Sequence, residues 1–227
     1  MTQMITLKSA ASDGFEFGAL HAQPLGERRG GVIVVQEIFG LNKDVQADVA
    51  RWAALGFEVV APSLFDRSHP GFIGEHTPED MQAGFGHMQA VSPADVTGDL
   101  EACIDFLAPR GPVFAVGYCY GGSVVWRASA ELTGLAAASS YYGSKVAEWA
   151  GRPLHNPVIC HFGRKDTHIP AAEVEARIKA AHPEVPVYIY ENSGHAFNND
   201  GRADADPADA ALARERTLAL FVAHGAR

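Results

Sequence analysis

Cys119 lies in the stretch VFAVGYCYGG (113–122), with a glycine two positions away on either side. Those glycines weaken any strand or helix they interrupt, so the stretch is read as a turn too tight for side chains, with Cys119 at its tip. A thiolate attacks carbonyl carbon well, but a free cysteine with a pKa of about 8.5 holds little of it at neutral pH. It needs a base, and the base needs a carboxylate to fix its tautomer. Downstream, NPVICHFG runs into a loop carrying Asp166, and PVYIYE runs into Asn192-Ser193-Gly194-His195-Ala196-Phe197. A thiolate–imidazolium pair built from Cys119 and His195, with Asp166 behind the ring, would attack a carbonyl, and water would then release the acyl group. Taken singly, Asp166 can equally be a turn or helix-capping aspartate and His195 a surface histidine. His161, inside a strand, and His168, directly after the acid, are the poorer candidate bases. Cys103 and Cys160 are read as small buried hydrophobes. Three cysteines at wide spacings form neither a disulfide framework nor a CxxC metal site.

These residues need strands that end at one edge. Residues 4 to 24 alternate apolar and polar positions around Ser12-Asp13-Gly14, the pattern of a hairpin. GVIVVQE (31–37) is a continuous apolar run of the kind found in a strand buried on both faces, and further strands are read at 57–62, 113–118, 135–142, 157–162 and 186–191. Helices are expected at about 43–55, from caps at Thr77 and Ser92 (the latter ending near Leu107), and at about 121–131, 170–181 and 207–224. The alternation predicts an α/β fold with a mostly parallel sheet, helices on both faces and ligands at the C-terminal strand ends. A Gly-x-nucleophile-x-Gly turn from strand to helix is the nucleophile elbow of α/β-hydrolases, whose chain order is nucleophile, acid, histidine. Oxyanion donors are then expected from the backbone N–H of Tyr120 and of Ile38, in the loop after GVIVVQE. Only about 14 residues, 143 to 156, stand where a cap domain is often inserted, so no cap is expected and the pocket should be shallow. Phe39, Tyr120, Tyr142 and Phe197 are expected to line it.

The totals restrict the partners. The chain has 227 residues with 47% hydrophobic and 20% charged residues, which fits one soluble globular domain spanning 1–227. A net charge of -9 without a Lys or Arg cluster argues against nucleic acid and anionic membrane surfaces. The first residues lack a signal-peptide pattern, and no apolar run approaches a bilayer's thickness, so a cytoplasmic protein is expected. The partner is a small ester or lactone, with no cofactor and no metal, and the chain is expected to be a monomer. A hydrolase of thioesters or organophosphates using the same thiol, or a non-catalytic receptor on the same fold, are the rival readings.

Gln36-Glu37-Ile38-Phe39-Gly40-Leu41-Asn42, Gly117-Tyr118-Cys119-Tyr120-Gly121-Gly122, Tyr141-Tyr142-Gly143, Asp166, and His195 followed by Ala196-Phe197 occur in this order. In these pieces the chain resembles the dienelactone hydrolase family of α/β-hydrolases. The resemblance implies that Cys119, Asp166 and His195 form a triad and that Glu37 contacts the resting thiol and helps activate it. An acid closing a buried strand is costly unless paired or useful, which already sets Glu37 apart. The resemblance also implies two arginines for the substrate carboxylate, one of them four residues after the histidine. Here that position is Asn199. Between Arg51 and Arg110 the only Lys or Arg is Arg67, in a segment that carries His69, His76 and His87. Arg67 and Arg202 are the residues that could restore such a clamp.

Overall fold

The computed structural model describes residues 2–227. In chain order its elements are β1 (Thr2–Lys8), β2 (Glu16–Ala22), β3 (Gly30–Val35), α1 (Lys43–Ala54), β4 (Phe57–Pro62), α2 (Pro78–Ala90), α3 (Pro93–Leu107), β5 (Val113–Tyr118) and α4 (Tyr120–Glu131). There follow β6 (Ala137–Tyr141), α5 (Val146–Trp149), β7 (Val158–Gly163), α6 (Ala171–Ala181), β8 (Val187–Tyr190) and α7 (Pro207–Ala223). The strands make a mostly parallel sheet in the order β1-β2-β4-β3-β5-β6-β7-β8, and the fold is of the α/β class. Two compact units are distinguished, Met1–Ala115 with Ala226–Arg227, and Val116–Gly225; the boundary falls inside β5.

In the first unit β1 and β2 form an antiparallel hairpin from Thr2↔Ala22 to Lys8↔Glu16. β2 lies antiparallel to β4, and β3 parallel to β4. Every residue of β3 and β4 is buried, which is why their sequences read as apolar runs instead of alternating ones, broken only by Glu58 in β4. The helices start where their caps dictate. Asn42 accepts from the amides of Asp44 and Val45, Thr77 from Asp80, and Ser92 exchanges hydrogen bonds with Asp95 in a capping box, with proline at the first helical position of α2 and α3. β3 stops at Val35, two residues before the expected end. Beyond it the Gln36 side chain donates to the Glu37 carbonyl and accepts from the Leu64 amide. These side-chain bonds tie down the chain where the ladder ends.

In the second unit β6, β7 and β8 are parallel neighbours. α4 is buried from Gly121 through Ser129, and α7 buries Ala210, Ala213, Thr217 and Phe221. Thr217 meets the hydroxyls of Ser139 (2.8 Å) and Tyr141 (3.0 Å), fixing α7 against β6. α5, four residues long, was not anticipated by the sequence pattern.

One feature of the first unit escaped the sequence reading. Glu58 on β4 is fully buried, and its carboxylate meets three cations or potential cations: His21 on β2 at 2.9 Å, Arg28 at 2.8 Å and Arg110 at 2.7 Å. Removing the charge leaves two arginines facing a neutral amide in a largely dry site. Breaking a buried ion pair costs about 3–5 kcal/mol, and the partial exposure of Arg110 places this one near the lower end. Glu58→Gln should therefore lose roughly 3 kcal/mol in urea denaturation at pH 7; a loss below about 1 kcal/mol would show that the arginines reach water instead.

Candidate active site

β5 delivers Cys119 and α4 begins immediately after it. Cys119 is the N-cap of α4, with φ 52° and ψ -111°, a left-handed conformation that costs a non-glycine residue energy. The turn is tight because a Cβ at Gly117 would stand 2.1 Å from the Gly121 carbonyl oxygen, and one at Gly122 would stand 2.3 Å from that of Tyr141. The Cys119 amide donates to the Tyr141 carbonyl (3.0 Å) and its carbonyl accepts from the Ser123 amide (3.2 Å), so the strained residue is held on both sides. The partial positive charge at the N-terminus of α4 favours an anion at this place. The Tyr120 amide is the first inside the helix.

Asp166 lies in the loop after β7 and His195 in the loop after β8, as the strand-end argument requires. His195 Nδ1 and Asp166 Oδ2 are 2.7 Å apart. The other carboxylate oxygen accepts from the amides of His168 (2.8 Å) and Ile169 (3.0 Å). Burial acts to raise the Asp166 pKa, but these hydrogen bonds and the His195 charge outweigh it and hold the carboxyl below its usual range. His195 also shares a side-chain hydrogen bond with Cys119. Burial alone would lower the imidazole pKa; the hydrogen bonds and charges of Asp166 and Cys119 overcome that and raise it to about 10. The ring therefore carries its proton at neutral pH, which suits the partner of a thiolate.

The two loops are braced against each other. The Lys165 amide donates to the Ser193 carbonyl (2.9 Å), and a Cβ on Gly163 would come within 2.4 Å of that same oxygen. Ser193 Oγ donates to Asp209 in the first turn of α7 (2.7 Å). Ala196, next to the histidine, has φ 59°, and Tyr142 has φ 38° with its ring centroid 5.0 Å from that of His195. Strained backbone thus recurs at Cys119, Tyr142 and Ala196, around a single imidazole. Neither the brace from Asp209 nor the strain at Tyr142 had a sequence signal beyond the Tyr141-Tyr142-Gly143 string.

The remaining expected residues fall in different places. Tyr142 and Phe197 are buried, at 0% and 1% exposure, with rings 5.6 Å apart; Tyr142 backs the histidine and Phe197 backs Tyr142. Asn199 is buried, its amide donating to the Ala196 carbonyl (3.0 Å). Glu37, Ile38 and Phe39 belong to the first unit, all buried in the loop after β3. His161 is fully buried between the Tyr190 hydroxyl (2.9 Å) and Thr217 (3.2 Å), with its pKa lowered by burial, and by the charge of Arg216, to about 3; it stays neutral and structural. His168 is exposed, its ring edge-on to His195 at 5.6 Å. Arg67 is held by Asp13 (3.1 Å) and Asp99 (3.0 Å), with its guanidinium 4.4 Å from the Phe15 ring centroid. In the same unit His69 and His87 stand 5.2 Å apart, and His76 meets Asp44 at 3.0 Å.

Comparison with known proteins gives the family. The family model described as "Dienelactone hydrolase family" matches residues 17–225. A carboxymethylenebutenolidase of Pseudomonas putida is 30% identical over 227 residues, covering 96% of this chain and 95% of its own. A solved structure from Klebsiella pneumoniae, described as a candidate dienelactone hydrolase, superposes with a TM-score of 0.82 at 27% identity, covering 98% of this chain and 99% of its own. A dienelactone hydrolase-like promiscuous phosphotriesterase from metagenomic libraries shares the fold, with a TM-score of 0.74 at 20% identity over 98% of each chain. No helix among the described residues is long and apolar enough to cross a membrane. The chain is an ester-bond hydrolase and belongs to the dienelactone hydrolase family.

Proposed function

We propose that this chain hydrolyses small, uncharged carboxylic esters or lactones through an acyl-enzyme formed on Cys119. The observation that carries the reading is the single imidazole, His195, hydrogen-bonded to the Asp166 carboxylate on one side and to the Cys119 thiol on the other. The thiolate attacks the ester carbonyl carbon, forming a C–S bond and a tetrahedral oxyanion, toward which the Tyr120 amide donates at the head of α4. Collapse breaks the C–O bond, and the leaving alkoxide takes the His195 proton. Water, losing a proton to the now neutral ring, then attacks the thioester and releases the acid and the thiol. Glu37 keeps the activating role that the resemblance implies, and the Ile38 amide the oxyanion role expected of the loop after GVIVVQE. The same reading takes the enzyme as a cytoplasmic monomer.

Cys119→Ala should lower kcat for phenyl acetate by at least about 10⁴-fold, and His195→Ala or Asp166→Asn in the same background should add almost nothing, because the three act as a unit. Additive losses in steady-state kinetics would dismiss the triad. Iodoacetamide should modify Cys119 well ahead of Cys103 and Cys160, whose thiols are buried and pushed up in pKa by desolvation.

The raised histidine sets the alkaline limit. An imidazolium with a folded pKa near 10 is fully present below its ordinary 6.5 and is lost as pH rises through 10. For an alkyl ester, whose leaving group must be protonated, kcat/KM should fall as pH passes about 10; for a 4-nitrophenyl ester, which needs no such proton, the fall should be much smaller. Equal profiles for both esters would remove His195 as the proton donor.

Substrate charge follows from Asn199 and from Arg67 being taken up by Asp13 and Asp99. Charge-assisted hydrogen bonds contribute roughly 1.5–3 kcal/mol each, so an anion lacking its arginines loses most of its advantage. Kinetics at one pH and ionic strength should give a higher kcat/KM for phenyl acetate than for a carboxylate-bearing dienelactone, and a tenfold preference for the lactone would reverse that reading.

A further inference from the structure

A groove of about 350 Å³ opens at His168, whose ring stands edge-on to that of His195, within the unit that carries Cys119, Asp166 and His195. One wall is the start of α5, with Ser144, Ala147 and Glu148; the other is the loop after β7 and the first two turns of α6, from His168 to Arg177. Pro170, Glu173, Val174 and Arg177 recur at helical spacing, so one face of α6 lines the groove along its length. Its floor is apolar, formed by Ala147, Ile169, Pro170 and Val174, and its rim is polar. Of the rim charges, Glu148 is already paired with Lys145 at 2.7 Å, and Glu173 and Arg177 stand four residues apart on the helix. The rim thus carries both signs of charge and no cluster of a single sign.

Its position relative to the chemistry decides which part of a substrate it takes. Asp166 holds Nδ1 of His195, which leaves Nε2 as the proton donor. The leaving oxygen must come within hydrogen-bonding distance of that nitrogen, so the first carbons of the alcohol pass the exposed edge of the imidazole. The buried Tyr142 ring closes one side of His195. The exposed His168 ring, edge-on at 5.6 Å, stands at another side, and it is also the first residue of the groove wall.

We infer that the groove between α5 and α6 is the leaving-group subsite, and that the substrates are esters of extended, uncharged, largely aliphatic alcohols. This rests on the hydrolase reading above and adds the alcohol half of the substrate to it. A helix rises 1.5 Å per residue, so the wall from Pro170 to Arg177 runs about 10 Å, the length of an alcohol on the order of eight carbons. The acyl half lies outside this groove.

The test varies one half of the ester at a time. With acetate as the acyl group, the alcohol is lengthened from methyl through butyl to octyl; with methanol as the alcohol, the acyl chain is lengthened over the same range. Hydrolysis is followed by pH-stat titration. In the alcohol series kcat/KM should rise about threefold per added methylene until the groove is filled, by the usual gain from burying a CH₂ group. Ala147→Trp fills the groove from the α5 wall and Glu173→Trp from the α6 wall. Each should lower the octyl-to-methyl ratio of the alcohol series at least tenfold and leave the corresponding ratio of the acyl series in place. Thermal melts confirm that both variants fold, and two variants on opposite walls guard against the failure of one. If the wild type hydrolyses both series but alcohol length has no effect, or if the acyl ratio is the one that falls, the subsite assignment is overturned. If the wild type hydrolyses neither series, the hydrolase reading falls and the subsite with it.

Discussion

A β-carbon on Gly117 would lie 2.1 Å from the carbonyl oxygen of Gly121, so β5 can turn into α4 only where the backbone itself fills the corner. That close approach leaves the intervening residue a left-handed conformation, with φ 52° at Cys119, and places its side chain at the head of a buried helix. Everything else in the second unit can be understood as holding this corner in register. Tyr141 receives the Cys119 amide, Gly122 lets β6 approach, and Thr217 fastens β6 to α7. The strain is local; the contacts that maintain it come from four elements.

Charge placement follows the same logic. A buried imidazole would ordinarily lose its proton, as His161 does, with its pKa near 3. His195 differs because a carboxylate and a thiol flank it, and its pKa stands near 10. Two histidines, one inside β7 and one in the loop after β8, thus diverge by their neighbours: hydroxyls and the Arg216 charge for one, titratable acids for the other. The comparison explains why His161 stays neutral while His195 holds its proton.

Much of this was legible in the sequence. Ser92-Pro93 and Thr77-Pro78 announce helix starts because capping is a contact between residues three apart, and β3 and β5 announce burial by being apolar throughout. Cys119, Asp166 and His195 were legible because chain order and strand ends fix where such residues fall. What could not be read depends on pairs distant in the chain. The Gln36 side chain bonds Leu64, so β3 ends before its apolar run suggests. Tyr142 and Phe197 sit in loops beside the histidine, where aromatic residues invite a pocket-wall assignment, yet their exposure is near zero because the loops fold inward. The α5–α6 groove had no signal at all, since a four-residue helix has too few positions to show a period.

The Glu58 site also bears on how the first unit avoids misfolding. Register matters in an alternating strand because a shift of one residue turns every side chain to the opposite face. In the observed pairing His21 faces Val60, which puts it diagonally beside Glu58, two positions along β4 on the same face. Shifted by one, β2 would turn His21 away and present Glu58 with an apolar neighbour. The carboxylate is thus a penalty against wrong pairings as well as a contact in the right one. Because β1 pairs in the sheet only with β2, the alignment of β2 on β4, to which this acid contributes, carries over to β1.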